Sequence, residues 1–252
     1  MTAAARSWQE WLSGGRQRLE RAGIAEAGNK LRWVAAHVLD CGLLDVLRHL
    51  DEIPAPDQAD RFAAALARLA TDEPVQYVVG ETDFMGLKIR CDARALIPRP
   101  ETEELVACAE EFLRGRERSV AVDVCTGSGC IACALAKRVP GARVLATDLS
   151  AAALDLAREN ARALEAAVEF RQADLLAGIP AASVDLVVSN PPYVATAEIA
   201  RLDRTVRDFE PHLALDGGAD GLQLISRLVA EAAHVLKSGG KLMMEIGEDQ
   251  AA

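Results

Sequence analysis

The sequence contains no run of about 18 uncharged apolar residues, the length a helix needs to cross a bilayer, so no membrane-spanning helix is expected. Its first residues carry Glu10 and lack an apolar core, so they do not read as a secretory signal. Positive charge is in the minority: 28 Lys and Arg face 38 Asp and Glu, for a formal net charge of −10. Proteins that hold nucleic acid nonspecifically cluster Lys and Arg against phosphates, and such a surplus is missing here. Cysteine is limited to six residues, and only Cys130-Ile-Ala-Cys133 has a C-x-x-C spacing. No second pair or nearby histidine completes a zinc site around it, so no metal is expected. The six thiols are expected to be reduced, as in a cytosolic protein.

What is present is enough for a core. Half of the 252 residues are apolar, which argues against wholesale disorder, and the length permits one large domain or one ordinary domain plus a small one. The charge divides the chain. The first 70 residues hold 9 basic and 9 acidic groups, so the whole excess of negative charge lies in 71–252. Texture changes at the same place. Trp8, Trp11, Leu12 and Leu19 have helical spacing, as do Leu31, Val34, Ala35 and Val38, and after the break at Ile53-Pro-Ala-Pro56 the pattern resumes with Phe62, Leu66 and Leu69. This predicts a small bundle of four or five helices over 1–73. Residues 74–98 read as strand material, with Val75–Gly80 and Phe84–Ile89 forming a hairpin or ribbon linker that Pro98-Arg-Pro100 ends. A helix is expected over 101–113.

From 119 onward strands and helices alternate. Strands are predicted at 120–125, 143–147, 168–171, 184–189 and 241–246, with helices at 131–138, 151–165 and 222–236. Alternation of this kind specifies a parallel sheet covered by helices on both faces, here over 99–252.

Three motifs on that pattern carry chemistry. Asp123-Val-Cys-Thr-Gly-Ser-Gly-Cys130 leaves a strand and opens a helix. Its glycines let a ligand approach the backbone, and the helix start offers free N–H groups. No Gly-Lys-Ser/Thr follows, so it is not a P-loop, and it departs from G-x-G-x-x-G. Asp148 ends the second strand about 20 residues further on, where a carboxylate can accept both hydroxyls of a ribose; an N-cap role there is compatible with this. Asp174 has the same ambiguity after the third strand. Ser189-Asn-Pro-Pro-Tyr193 ends the fourth strand, where open α/β sheets place their ligand crevice. The prolines stiffen the segment and leave carbonyls free to accept, Asn190 adds an amide, and Tyr193 adds a flat face. The set suits a planar amide or exocyclic amine, whose two N–H groups need two acceptors.

Together these residues resemble a class I S-adenosylmethionine-dependent methyltransferase. Asn-Pro-Pro-Tyr is similar to the signature of enzymes that methylate adenine N6, cytosine N4 or glutamine N5. Further stretches resemble the HemK/PrmC protein-(glutamine-N5) methyltransferases: Phe84-Met-Gly-Leu, Leu96-Ile-Pro-Arg-Pro-Glu-Thr-Glu103, Glu210-Pro-His-Leu-Ala-Leu-Asp-Gly-Gly218 and Asp220-Gly-Leu222. The resemblance covers about 75–250, and the helical N-terminus resembles that family's substrate-recognition domain in kind.

The resemblance implies a Rossmann-like domain behind a small helical domain and a hairpin linker. It implies S-adenosylmethionine held by Cys125, Thr126, Gly127, Ser128 and Gly129 at the methionine, by Asp148 at the ribose, and by Asp174 and Leu175 at the adenine. Asn190 would touch both cofactor and substrate, with Pro191, Pro192 and Tyr193 completing a glutamine slot, and catalysis would rest on Asn190 and Pro191. The implied substrate is the glutamine of the GGQ motif in peptide-chain release factors, in the cytoplasm, with the enzyme a monomer and no nucleic acid or membrane as partner. A glutamine of a large-subunit ribosomal protein is the alternative, since Cys125 and the Cys-Thr-Gly-Ser-Gly-Cys form also resemble the enzyme that modifies it. A DNA or RNA amino-methyltransferase is a further one, disfavoured by the acidic catalytic half. The family fold continues beyond 246 with a helix and an antiparallel strand pair, so the sheet is expected to lack its last strands.

Overall fold

The protein is described from a computed structural model over residues 6–250. Its chain divides into two compact units, with the boundary between Gly80 and Glu81.

The N-terminal unit is helical. Helix α1 (Trp8–Arg21) starts at a capping box, in which the Ser7 hydroxyl accepts from the Glu10 N–H and the Glu10 carboxylate accepts from the Ser7 N–H. Helices α2 (Ala27–Leu39) and α3 (Pro56–Leu69) follow, with a 3₁₀ turn, Asp45–Arg48, between them. Their apolar faces close on Trp8, Leu19, Leu31, Val34, Phe62 and Leu69, all fully buried. Phe62 is the centre: the rings of Trp8 and Trp11 stand edge-on to it at 5.4 and 6.0 Å.

The expected strand at Val75–Gly80 is instead a helix, α4 (Val75–Val79). Pro74 supplies the fixed φ that starts it, and Gly80, at φ 87°, takes the left-handed conformation that stops it. The Arg68 guanidinium donates to the carbonyls of Tyr77 (2.9 Å) and Val78 (3.2 Å), which a helix end leaves without partners. Val75, Val78 and Val79 pack into the N-terminal core, so the run of β-branched residues serves a helix here.

The second unit opens with an antiparallel hairpin, β1 (Glu81–Phe84) and β2 (Leu87–Arg90). Phe84 and Ile89 bury in the same core as helices α5 (Pro100–Leu113) and α6 (Cys130–Arg138). The hairpin is thus packed into this unit. The parallel sheet has the order β5-β4-β3-β6-β7, from β3 (Val120–Val124), β4 (Arg143–Asp148), β5 (Val168–Gln172), β6 (Val184–Ser189) and β7 (Leu236–Met244). Helices α7 (Ala151–Ala163), α8 (Arg204–Arg207) and α9 (Gln223–Val235) complete it. On one face Ala121, Val144, Leu186 and Val188 pack under α5 and α6; on the other Val122, Val124 and Val187 pack under Leu228, Ala232 and Val235 of α9. β3 is the middle strand. The chain builds outward from it to β5 on one side, then returns to lay β6 and β7 on the other. The carboxyl ends of β3 and β6 flank that reversal, where doubly wound sheets form their ligand crevice.

Candidate active site

The glycine turn and the Asn-Pro-Pro-Tyr segment meet at this point. Val124 of β3 and Ser189 of β6 are register partners, so the segment 125–129 and Asn190 leave adjacent strands side by side. The glycine turn is tight. Gly129 caps α6 at φ 80°, and a Cβ there would stand 2.9 Å from the Ala157 side chain, so α7 crosses too close for any other residue. Asn160 of α7, fully buried, ties the turn down: its amide donates to the Ser128 carbonyl (2.9 Å), while its oxygen accepts from the Arg90 N–H (2.8 Å).

A crevice runs along the strand ends. Its walls include Cys125, Thr126, Gly127 and Ser128 from the turn, Asp148 from β4, Asp174 and Leu175 after β5, and Asn190 and Pro192 after β6. Gly129, Pro191 and Tyr193 do not form its wall. Gly129 turns the backbone, Pro191 is buried, and Tyr193 is half-buried with its hydroxyl on Glu245. Residues 94–99 and Leu213 add to the wall opposite the sheet.

Asp148 is locked by backbone. One carboxylate oxygen accepts from the Gly127 N–H (2.9 Å), the other from the Ser150 N–H (2.8 Å). Burial pushes its proton affinity up, and these N–H groups pull it back. Each oxygen keeps a lone pair for a ligand hydroxyl. Asp174 is held differently, in an ion pair with Arg227 at 2.9 Å. The next residue, Leu175, has φ 49°, a strained conformation for a branched side chain and one that concentrates at ligand sites.

Cys125 faces the crevice as a thiol. Burial first, then the carboxylates of Asp148, Asp123 and Asp174, push its ionisation far above the ordinary range. Beneath it Asp123 is fully buried, and burial lifts its carboxyl to about 7. One of its oxygens accepts from the Thr126 hydroxyl (2.6 Å) and the Ala132 N–H (3.1 Å); the other has no partner.

Beyond the crevice, the loop carrying Gly217 and Gly221 closes on the backbone of 192–195. A Cβ on Gly221 would fall 2.3 Å from the Tyr193 carbonyl, so this motif exists to let two backbones touch. Glu210, with its side chain buried, accepts from the Ile97 N–H (3.1 Å) and pairs with Arg99, which pins the strap 94–99 over the crevice. Burial raises the Glu210 proton affinity, and Arg99 works against it.

Asn190 is held from one side. Its amide nitrogen donates to the Thr102 hydroxyl (3.0 Å), and its side-chain oxygen has no hydrogen bond among the described residues. Sequence reasoning passed over Glu245, Asn160 and the roles of Thr102 and Glu210. The visible traces were an asparagine on the buried stripe of an alanine-rich helix, and the threonine and glutamate within the quoted motifs.

A doubly wound sheet with a glycine turn after its first strand, a backbone-locked carboxylate after its second and an Asn-Pro-Pro-Tyr segment after its fourth defines a class I S-adenosylmethionine-dependent methyltransferase. Residues 10–80 match the family model described as PrmC N-terminal domain, and 105–218 that described as Methyltransferase small domain. The release factor glutamine methyltransferase of Koribacter versatilis is 46% identical over 197 residues, 78% of this chain and 70% of the relative. That of Cereibacter sphaeroides is 44% identical over 237 residues, 92% and 83% of the two chains. That of Deinococcus radiodurans is 43% identical over 229 residues, 91% and 82%. The chain belongs to the release factor glutamine methyltransferase family.

Proposed function

We propose that the protein methylates the side-chain amide N5 of the glutamine in the GGQ motif of peptide-chain release factors, using S-adenosylmethionine. The observation that carries the reading is the free side-chain oxygen of Asn190, held from behind by Thr102, beside a crevice whose donor set suits an adenosine. Asp148 offers two fixed acceptors for the ribose hydroxyls, Leu175 and Asp174 border the adenine end, and the segment 125–128 takes the methionine end. When bound there, S-adenosylmethionine supplies an electrophilic sulfonium methyl group.

An amide nitrogen is a poor nucleophile, because its lone pair is shared with the carbonyl. What the protein can contribute is aim. The Asn190 oxygen accepts one N–H of the substrate amide, and the Pro191 carbonyl, which has no intramolecular hydrogen bond among the described residues, accepts the other. Two acceptors fix the plane of the amide and so the direction in which its nitrogen presents electron density. Methylation would exchange one amide N–H for N–CH3: the sulfonium S–CH3 bond would break to leave a neutral thioether, and the proton would leave to solvent. Cys125 remains a neutral thiol, so it offers no competing thiolate beside an alkylating group.

The test is incubation with labelled S-adenosylmethionine and, separately, a release factor, ribosomal protein and DNA. Label in the release factor glutamine, lost by about 100-fold or more in Asn190→Ala while cofactor binding persists, is expected. Label in DNA alone, or near-normal turnover of Asn190→Ala, refutes the assignment.

A further inference from the structure

Asparagine is nearly symmetric in shape: its oxygen and nitrogen exchange places on a half turn of the amide. An acceptor toward the substrate therefore requires something that rejects the flipped form. We infer that Glu245, acting through Thr102, is the positioning residue that keeps the Asn190 oxygen facing the crevice. The inference rests on the role given to Asn190 above.

The hydrogen-bond directions run one way. The Glu245 carboxylate has no proton to give, so it only accepts. The Thr102 hydroxyl lies 2.7 Å from one of its oxygens and spends its single proton there. That leaves the threonine oxygen as an acceptor, and the Asn190 amide nitrogen donates to it at 3.0 Å. A flipped Asn190 would point its oxygen at a hydroxyl whose proton is already committed, inside a wall where Thr102 is 2% exposed. Unpaired oxygens facing each other there are strongly disfavoured.

The chain is anchored at both ends. Thr102 sits in the first turn of α5, and Glu245 follows β7 with its N–H on the Ser189 carbonyl (3.0 Å), one residue before Asn190. The second Glu245 oxygen accepts from the Tyr193 hydroxyl at 3.1 Å. One carboxylate thereby fixes the asparagine and the tyrosine of Asn-Pro-Pro-Tyr together.

Glu245→Gln tests this with almost no change of shape. An amide at 245 can donate to Thr102, which frees the threonine proton to turn toward Asn190 and makes both Asn190 orientations acceptable. With release factor as substrate, kcat is expected to fall roughly ten- to hundred-fold, while the Kd for S-adenosylmethionine stays within about twofold. Thr102→Val, which removes the relay, should lose a similar factor; Thr102→Ser, which restores a hydroxyl, should regain most of it. The pair Glu245→Gln and Thr102→Val combined should be little worse than either alone, because both break one chain. The threonine series decides the matter if Glu245→Gln does not fold. Wild-type kcat in Thr102→Val, or equal losses in Thr102→Val and Thr102→Ser, overturns the inference. Asn190→Ala run alongside separates the two levels. If it is inactive and the relay variants are not, only the orienting role fails; if it remains active, the reading of Asn190 fails with it.

Discussion

Replacing Asp148 by asparagine changes one atom's chemistry and leaves the shape intact, so its effect can be worked out from the contacts. In the wild type both oxygens accept a backbone N–H, from Gly127 at 2.9 Å and Ser150 at 2.8 Å. Asparagine keeps one oxygen. The turn to Ser150 is of the kind asparagine forms readily, so that oxygen stays there and the new amino group faces the Gly127 N–H, donor against donor. The glycine turn loses an acceptor, and a ribose hydroxyl loses one of its two. A hydrogen bond to a charged group is worth about 1.5–3 kcal/mol. Taking about 2 kcal/mol for the ligand's share, the Kd for S-adenosylmethionine should rise about thirtyfold. Folding stability should move far less, because removing a buried charge offsets the lost Gly127 contact; burial already raises the proton affinity of this carboxyl. Titration calorimetry with S-adenosylmethionine, beside a thermal melt, measures both. Wild-type affinity in Asp148→Asn would refute the ribose role, and equal losses of affinity and stability would show that the residue merely builds the turn.

How much of this the sequence disclosed depended on how local each feature is. The alternating half was legible, since each strand is a short apolar run between turns and each helix has its own apolar stripe. The glycine turn and the Asn-Pro-Pro-Tyr segment were legible because glycine and proline constrain the backbone where they stand. Val75–Val79 was not, because β-branched residues favour strands in general, and the groups that make it a helix include Arg68, outside the run. Nor was the support of Asn190. Thr102 stands 88 residues from it and Glu245 stands 143 from Thr102, and no periodicity joins positions that only the fold brings together. Asp174 was ambiguous in the sequence between holding a ligand and capping a helix; in the structure Arg227, 53 residues on, pairs with it.

Two further perturbations test the fold beneath the site. Phe62→Ala opens the centre of the N-terminal core and should cost about 3–5 kcal/mol; the three tryptophans, Trp8, Trp11 and Trp33, all lie in that unit, so a denaturation followed by their fluorescence reports the loss, and an unmoved midpoint refutes the central place of the ring. Asp123 gives a pH signature. Its carboxyl rises from an ordinary 3.8 to about 7, chiefly through burial, with Asp148 adding to the rise and the Thr126 hydroxyl and Ala132 N–H opposing it. A carboxyl whose proton is held more tightly in the fold than in the unfolded chain stabilises the fold fully below pH 3.8, and that contribution drains away as pH climbs to about 7. In Asp123→Asn the amide oxygen keeps the Thr126 and Ala132 bonds, and the amino group takes the place of the oxygen that has no partner. The variant cannot ionise there, so it carries no such loss. The melting temperature of the wild type, taken relative to Asp123→Asn, should therefore fall steadily from pH 5 to pH 7 and flatten above about pH 7. A difference that stays constant across that range, or grows with pH, would mean the carboxylate is as comfortable in its burial as in water, and the solvation argument behind it would be wrong.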